Sequence, residues 1–241
     1  MKWFLVTEDF PPDFIGGIAT WSYAIAQTLS QNQTDITVLA RQTPNANNFD
    51  TTLDFPIKRM RGRDWGKLKY FWAYLATRFT KPNIVIFSTW ELASWAAPVL
   101  KRKNCRIWVG CHGSDITREK INTKHVSKLT PFVDQWLPVS KYLGQILQDR
   151  LGVNKNKIAY PPLPIKTSDN PVVYEPKRPL AIVARLTPYK GIETGIDIAN
   201  QCNRELWIIG DGNHKENLER YAQGKKVRFW GRKTQDQTHQ L

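Results

Sequence analysis

Apolar and polar positions along this chain follow two periods that take turns. Residues 3–7 form a short, nearly unbroken apolar run, which predicts a buried strand. Residues 18–29 place Trp21, Ile25 and Leu29 on one stripe with Ala24 beside it, which predicts an amphipathic helix. The pattern then predicts a strand at 35–40, a helix at 68–79, a strand at 83–87, a helix at 92–100 and a strand at 106–110. A short strand at 136–139 and a helix at 141–151 follow, and 158–161 leads into a break rich in proline: Pro161, Pro162, Pro164, Pro171, Pro176 and Pro179. After it the alternation restarts, with strands at 180–184, 206–210 and 227–230 and helices near 191–202 and 214–223. Strictly alternating strands and helices predict an α/β fold, a parallel sheet with helices on both faces. The expected organisation is a first α/β domain over 1–164, a Pro-rich linker over 165–179, and a second α/β unit over 180–241. The second unit has only three predicted strands, whereas a doubly wound sheet usually carries five or six.

Composition narrows the class. At 241 residues and 41% hydrophobic content the chain can bury a core, which excludes disorder as a whole-chain description. Cys105, Cys111 and Cys202 form no CxxC pair and no zinc spacing, so they read as reduced thiols of a cytoplasmic protein, with Cys111 a small filler rather than a nucleophile. The longest uncharged stretch, 14–34, carries Gly16, Gly17, Ser22, Gln27 and a polar tail, so any membrane association is expected to be peripheral.

Charge changes the picture more. The net charge of +14 calls for an acidic partner. Half of it comes from residues 56–81, where Lys58, Arg59, Arg61, Arg63, Lys67, Lys69, Arg78 and Lys81 face one acid, Asp64. Leu68, Phe71, Trp72, Leu75 and Phe79 share a helical stripe, leaving Trp65, Tyr70 and Tyr74 outside it. Cations with interfacial aromatics suit an anionic membrane surface, and would also suit nucleic acid or a merely solvated face.

The most informative stretch is 181–191. A strand ends in two cations, Arg185 and Lys190, and Gly191 then opens a helix. A helix N-terminus supplies N–H groups and partial positive charge, and the two side chains add full charges, so the loop suits a phosphate or diphosphate. Three other turns stand where parallel sheets bind ligands. Gly16 and Gly17 precede the first helix and would permit positive φ and a close backbone approach. His112, in Cys111-His112-Gly113-Ser114-Asp115, could orient a sugar hydroxyl or donate to a developing charge, with Ser114 and Asp115 capping a following helix. Gly210-Asp211-Gly212 ends the strand at 206–210.

In order along the chain these pieces, with Leu137-Pro-Val-Ser140, Lys157-Ile-Ala-Tyr-Pro-Pro and Val227-Arg-Phe-Trp-Gly231, resemble the family 4 retaining glycosyltransferases of GT-B fold. The resemblance covers about 3–232 and is most specific at 181–212. It implies two Rossmann-like domains, the first complete and acceptor-side, the second nucleotide-binding and partial. It also implies a metal-independent, retaining transfer from a nucleotide-diphosphate sugar to a sugar, polysaccharide or lipid-linked acceptor, in cell envelope polysaccharide synthesis and with no further cofactor. Gly16 and Gly17 would approach the diphosphate or acceptor, His112 the transferred sugar, Arg185 and Lys190 the diphosphate. Gly210, Asp211 and Gly212 would lie beside the nucleotide, and Gly231 and Arg232 beside its base. There are departures. Ala184 stands where the family usually has Gly, the 161–164 segment lacks Gly-x-Asp, and the family's C-terminal carboxylate motif does not occur before Leu241. The chain is therefore expected to be a C-terminally truncated member. The competing expectation is a catalytically impaired binding module at an anionic membrane surface or with a partner chain. A charge-driven nucleic-acid binder ranks last, because no recognised nucleic-acid motif accompanies the charge.

Overall fold

A computed structural model describes residues 1–13, 16–60, 82–102, 104–117, 123–161, 178–234, 237–238 and 240–241. The chain divides into two units, Met1–Lys166 and Thr167–Leu241, each with its own sheet and core. The predicted helix at 68–79 and all but two residues of the predicted linker at 165–179 lie outside the described residues.

The first unit contains β1 (Lys2–Val6), α1 (Gly17–Gln31), β2 (Asp35–Arg41), α2 (Ala46–Asp50), β3 (Ile57–Met60), β4 (Ile84–Phe87) and α3 (Trp90–Lys101). β5 (Arg106–Cys111), α4 (Ser114–Thr117), α5 (Thr123–Leu129), β6 (Gln135–Pro138) and α6 (Lys141–Leu151) follow. Its six strands run parallel in the order β3-β2-β1-β4-β5-β6, the doubly wound arrangement in which the chain starts at the centre, builds one edge, and returns to build the other. Successive residues of β1 go to opposite faces. Phe4 and Val6 join Val85, Phe87 and Val109 in one cluster, with Leu100 and Leu147 of the covering helices. Leu5 joins Val38, Ile84 and Ile86 in the other, against Trp21 and Ala26 of α1. Burial on both faces is why the central strands read as unbroken apolar runs rather than as alternation.

Local chemistry fixes the ends of α6. Ser140 Oγ accepts from the Leu143 N–H at 3.2 Å, and Gly152 closes the helix at φ 63°. A serine N-cap and a left-handed glycine are the start and stop signals of a helix, and losing such a cap costs about 1 kcal/mol. β3 carries no such signal. Its sequence, Ile-Lys-Arg-Met, belongs to an edge strand beside β2.

The second unit contains β7 (Leu180–Val183), α7 (Ile192–Gln201), β8 (Leu206–Ile209), α8 (Lys215–Tyr221) and β9 (Val227–Gly231). Its three strands are parallel, in the order β7-β8-β9. Leu186, Ile192, Ile196, Leu206, Ile208 and Leu218 form its core, so α7 and α8 cover the same sheet face. A Cβ at Gly195 would stand 2.3 Å from Ile182 Cδ1, so a larger residue there would make the end of that side chain shift. Trp207 and Trp230 meet edge to face at 5.1 Å on the opposite face.

Candidate functional site

In the second unit the predicted site residues converge on one end of the sheet, beyond the C-termini of its strands. Arg185 follows β7, and a tight turn over Pro188–Lys190 leads to Gly191, which caps α7 at φ 61°. The Lys190 N–H bonds the Thr187 carbonyl at 3.0 Å. Arg185 and Lys190 are both exposed, and the Lys190 ammonium lies 5.5 Å from the Tyr189 ring.

The Gly210-Asp211-Gly212 turn packs directly against this loop. Leu186 N–H donates to the Asp211 carbonyl at 3.0 Å, and His214 N–H donates to the Leu186 carbonyl at 3.1 Å. The contact is backbone to backbone. A Cβ at Gly210 would fall 1.9 Å from the Ala184 carbonyl oxygen, and one at Gly212 would fall 2.2 Å from that of Leu186. Gly210 also has φ +144°, which L side chains rarely adopt. Its N–H bonds the Gly231 carbonyl at 2.8 Å, which brings the end of β9 to the same place, with Arg232 exposed beside it.

Two further groups enter here that sequence reasoning did not select. Glu193, in the first turn of α7, accepts from His214 Nε2 at 2.6 Å. That bond, with one from its own backbone N–H, holds the Glu193 carboxyl below its ordinary value. One amide of this helix start is thus engaged by its own residue's carboxylate, and Arg185 and Lys190 add exposed positive charge to the loop. Nothing in the spacing of Glu193 and His214 announces their pairing.

In the first unit, His112 follows β5 and its ring is largely buried. His112 Nε2 stands 2.9 Å from the Ser88 carbonyl, which can only accept, so Nε2 carries the hydrogen. Nδ1 of the neutral ring is then an acceptor. The ring meets Trp21 edge to face at 4.9 Å. A Cβ at Gly110 would lie 2.8 Å from the Ser88 carbonyl oxygen and 3.1 Å from His112 Nε2, so glycine is required for the ring to seat. Burial pushes the imidazole below its usual value, against the attraction of Asp115 and the Ser88 bond.

Asp115 does not cap forward. Its carboxylate reaches back to the N–H groups of His112 at 3.0 Å and Gly113 at 2.7 Å, fixing the turn that presents the ring. Burial raises the Asp115 carboxyl, partly offset by His112 and these N–H bonds. Cys111 is fully buried and its thiol is pushed well up, which suits a filler and not a thiolate nucleophile.

Two expectations need correction. Gly16 has φ 164°, extended backbone open to any residue, and neither Gly16 nor Gly17 adopts the left-handed region. What both leave, among the described residues, is open space at the start of α1, with nothing within 4 Å of a Cβ placed there. Arg59, counted among surface cations, is turned inward with 5% of its side chain exposed. It pairs with Asp50 at 2.7 Å and donates to the carbonyls of Arg41 and Pro11, pinning the loop after β1. Asp13 anchors the same loop to the Asn45 N–H at 3.1 Å. Of the basic segment, Arg61, Arg63, Lys67, Lys69, Arg78 and Lys81 lie outside the described residues. Among the described residues no group of three His, Cys, Asp or Glu side chains could hold a metal ion, and no helix is long and apolar enough to cross a membrane.

The sequence model of the family described as Glycosyltransferase Family 4 matches residues 15–169, more than half of the chain. The chain belongs to glycosyltransferase family 4. The match covers the first unit from residue 15 onward, whereas the motifs at 181–212 that weighed most in the sequence lie outside it. Among solved structures, Anabaena Alr3699/HepE in complex with UDP is similar at TM-score 0.70 and 13% identity, over 97% of this chain and 70% of that one. The lipopolysaccharide outer core galactosyltransferase WaaB is similar at TM-score 0.63 and 18% identity, over 97% and 69%. TarM is similar at TM-score 0.70 and 9% identity, over 99% and 78%. Likeness at such identities is a likeness of fold, and the fold is the α/β GT-B type. No curated protein matched. Within family 4, the geometry above places Gly210, Asp211, Gly212, Gly231, Arg185 and Lys190 together in the second unit, and His112 and Gly16–Gly17 on separate turns of the first.

Proposed function

We propose that this family 4 chain is a glycosyltransferase that takes a sugar from a nucleotide-diphosphate donor to a sugar, polysaccharide or lipid-linked acceptor, with retention and without a metal. The observation that carries this reading is the pair of exposed cations, Arg185 and Lys190, on a loop locked by glycines beyond the ends of a parallel sheet. As the bond from the anomeric carbon to the diphosphate breaks, its electron pair goes to the leaving phosphate oxygen. Fixed cations stabilise that charge, at roughly 3–4 kcal/mol for each preorganised contact. The acceptor oxygen bonds the anomeric carbon from the same face, and its proton passes to the departing oxygen, so no nucleophilic side chain is needed. His112, with Nε2 committed to Ser88, offers Nδ1 to accept from a hydroxyl of the transferred sugar. Gly210 to Gly212 and the Gly231–Arg232 turn are assigned to the nucleotide, and Gly16–Gly17 to an approaching phosphate or acceptor. HepE binds UDP and UDP-glucose, and TarM has been captured with UDP, which makes UDP the first ligand to try. WaaB acts on lipopolysaccharide outer core, which supports an envelope polysaccharide role. The basic segment around Lys58 to Lys81 is assigned to the inner face of a membrane, with the protein cytoplasmic and peripheral.

Calorimetric titration with UDP, GDP and ADP tests the donor assignment. One nucleotide is expected to bind, with affinity falling about 100-fold in Arg185→Ala and Lys190→Ala. No binding of any of the three sinks the assignment. Binding without sugar transfer, measured by mass spectrometry with the matching nucleotide sugars, favours a non-catalytic binding module.

A further inference from the structure

The second unit contains a chain of side-chain hydrogen bonds with a single direction. An Arg220 guanidinium N–H donates to Asn217 Oδ1. That fixes the Asn217 amide, whose Nδ2 then donates to His214 Nδ1 at 3.1 Å. With Nδ1 accepting, the ring hydrogen sits on Nε2 and points at Glu193 Oε1, 2.6 Å away. Every donor faces the same way, from the exposed last turn of α8 to the first turn of α7. The chain ends on a carboxylate, and hydrogen bonds to charged acceptors are the stronger kind.

The two helices joined in this way are those that begin at the two ligand loops. Glu193 lies three residues after Lys190, and His214 lies two residues after Gly212. The backbone bonds between Leu186, Asp211 and His214 tie the loops at their base. The side-chain bond ties them at the helix starts, so a change in either helix position moves both Lys190 and Gly212.

We propose that the Arg220–Asn217–His214–Glu193 chain is a brace that sets the spacing of the 185–191 and 210–214 loops, with His214 and Glu193 as positioning residues for nucleotide-diphosphate binding. The idea rests on the donor assignment made above. The brace works through the neutral Nε2–H tautomer of His214, in contrast to a simple surface ion pair. Breaking it leaves Arg185 and Lys190 present but spaced wrongly.

The test uses the whole chain and UDP, or whichever of the three nucleotides binds most tightly. His214→Ala and Glu193→Ala are each expected to weaken binding about tenfold. The double variant is expected to be no weaker than either single one, because both remove one interaction. His214→Gln, whose amide can still donate to Glu193, is expected to recover most of the affinity. Two readouts do not depend on nucleotide binding. Long-range nitrogen–proton NMR is expected to report protonated Nε2 and unprotonated Nδ1 for His214 at pH 8. Hydrogen exchange in His214→Ala is expected to rise at 186–191 and 211–214 while 206–209 stays protected. Unchanged nucleotide affinity in both single variants, a protonated Nδ1, or exchange that rises equally across β8 would each overturn the brace. If the unaltered chain binds no nucleotide, the donor assignment fails, and the NMR and exchange results still decide whether the brace exists.

Discussion

The strand ends of the two units hold polar chemistry in opposite states. In the first unit three polar side chains near the ends of β1, β4 and β5 are paired within the fold. His112 is tied to Ser88, Asp115 to two backbone N–H groups, and Arg59 to Asp50 and two carbonyls. In the second unit the backbone is just as tightly fixed, but the cations Arg185 and Lys190 stand in solvent. A buried charge must find its partner inside the fold, because an unpaired one costs several kcal/mol. An exposed charge on a rigid loop carries no such demand and remains available to a ligand. Two arginines that look alike in a sequence thus do opposite work. One holds a loop in place, and the other, exposed on a rigid turn, is the one proposed above to meet the diphosphate.

The largest test of this contrast is on stability. Arg59→Ala is expected to lower the unfolding free energy by about 3–5 kcal/mol, because it strands Asp50 and frees the Pro11 carbonyl. Arg185→Ala should move it by no more than about 0.5 kcal/mol. Urea unfolding of the two variants decides the matter, and equal losses would erase the distinction.

Glycines sharpen it next. Gly210→Ala forces a Cβ against the Ala184 carbonyl at a backbone angle suited to glycine, and is expected to cost about 3 kcal/mol. Gly16→Ala meets open space and should stay within about 0.5 kcal/mol. The same unfolding assay reads both.

The smallest effect is a dependence on pH. Burial lowers the His112 pKa from its ordinary 6.5, so the unfolded chain takes up this proton at a higher pH than the folded one. The stability that His112 contributes is whole above that value and falls as the pH drops through it toward the folded value. Unfolding free energies measured in steps below pH 7 should decline less steeply in His112→Gln than in the unaltered chain. A parallel decline would assign the slope to other groups.

Much of the fold was legible because the central strands are buried on both faces, and Ser140 and Gly152 punctuate α6. β3 was not, because an edge strand needs little apolar sequence and Arg59 looks like a surface cation until its partners are in place. Glycine was a sound pointer but not a selective one. Gly16-Gly17 and Gly210-Asp211-Gly212 look equally permissive in the sequence, and only packing separates open space from a carbonyl at 1.9 Å. Arg185 and Lys190 were visible because their signal is local. His214 and Glu193 were not, since they are 21 residues apart and meet only when α7 and α8 lie side by side.

The backbone bonds from Leu186 to Asp211 and His214 carry a consequence for how this chain can change length. Loops normally absorb insertions and deletions at little cost. These two are read against each other residue by residue, like teeth of a gear. One residue added between Ala184 and Leu186, or between Gly210 and His214, would leave every later tooth facing the wrong gap. Length variation should therefore accumulate at the opposite end of the sheet, in the turns at 202–205 and 222–226, while the end that carries Arg185 and Gly210 keeps its count.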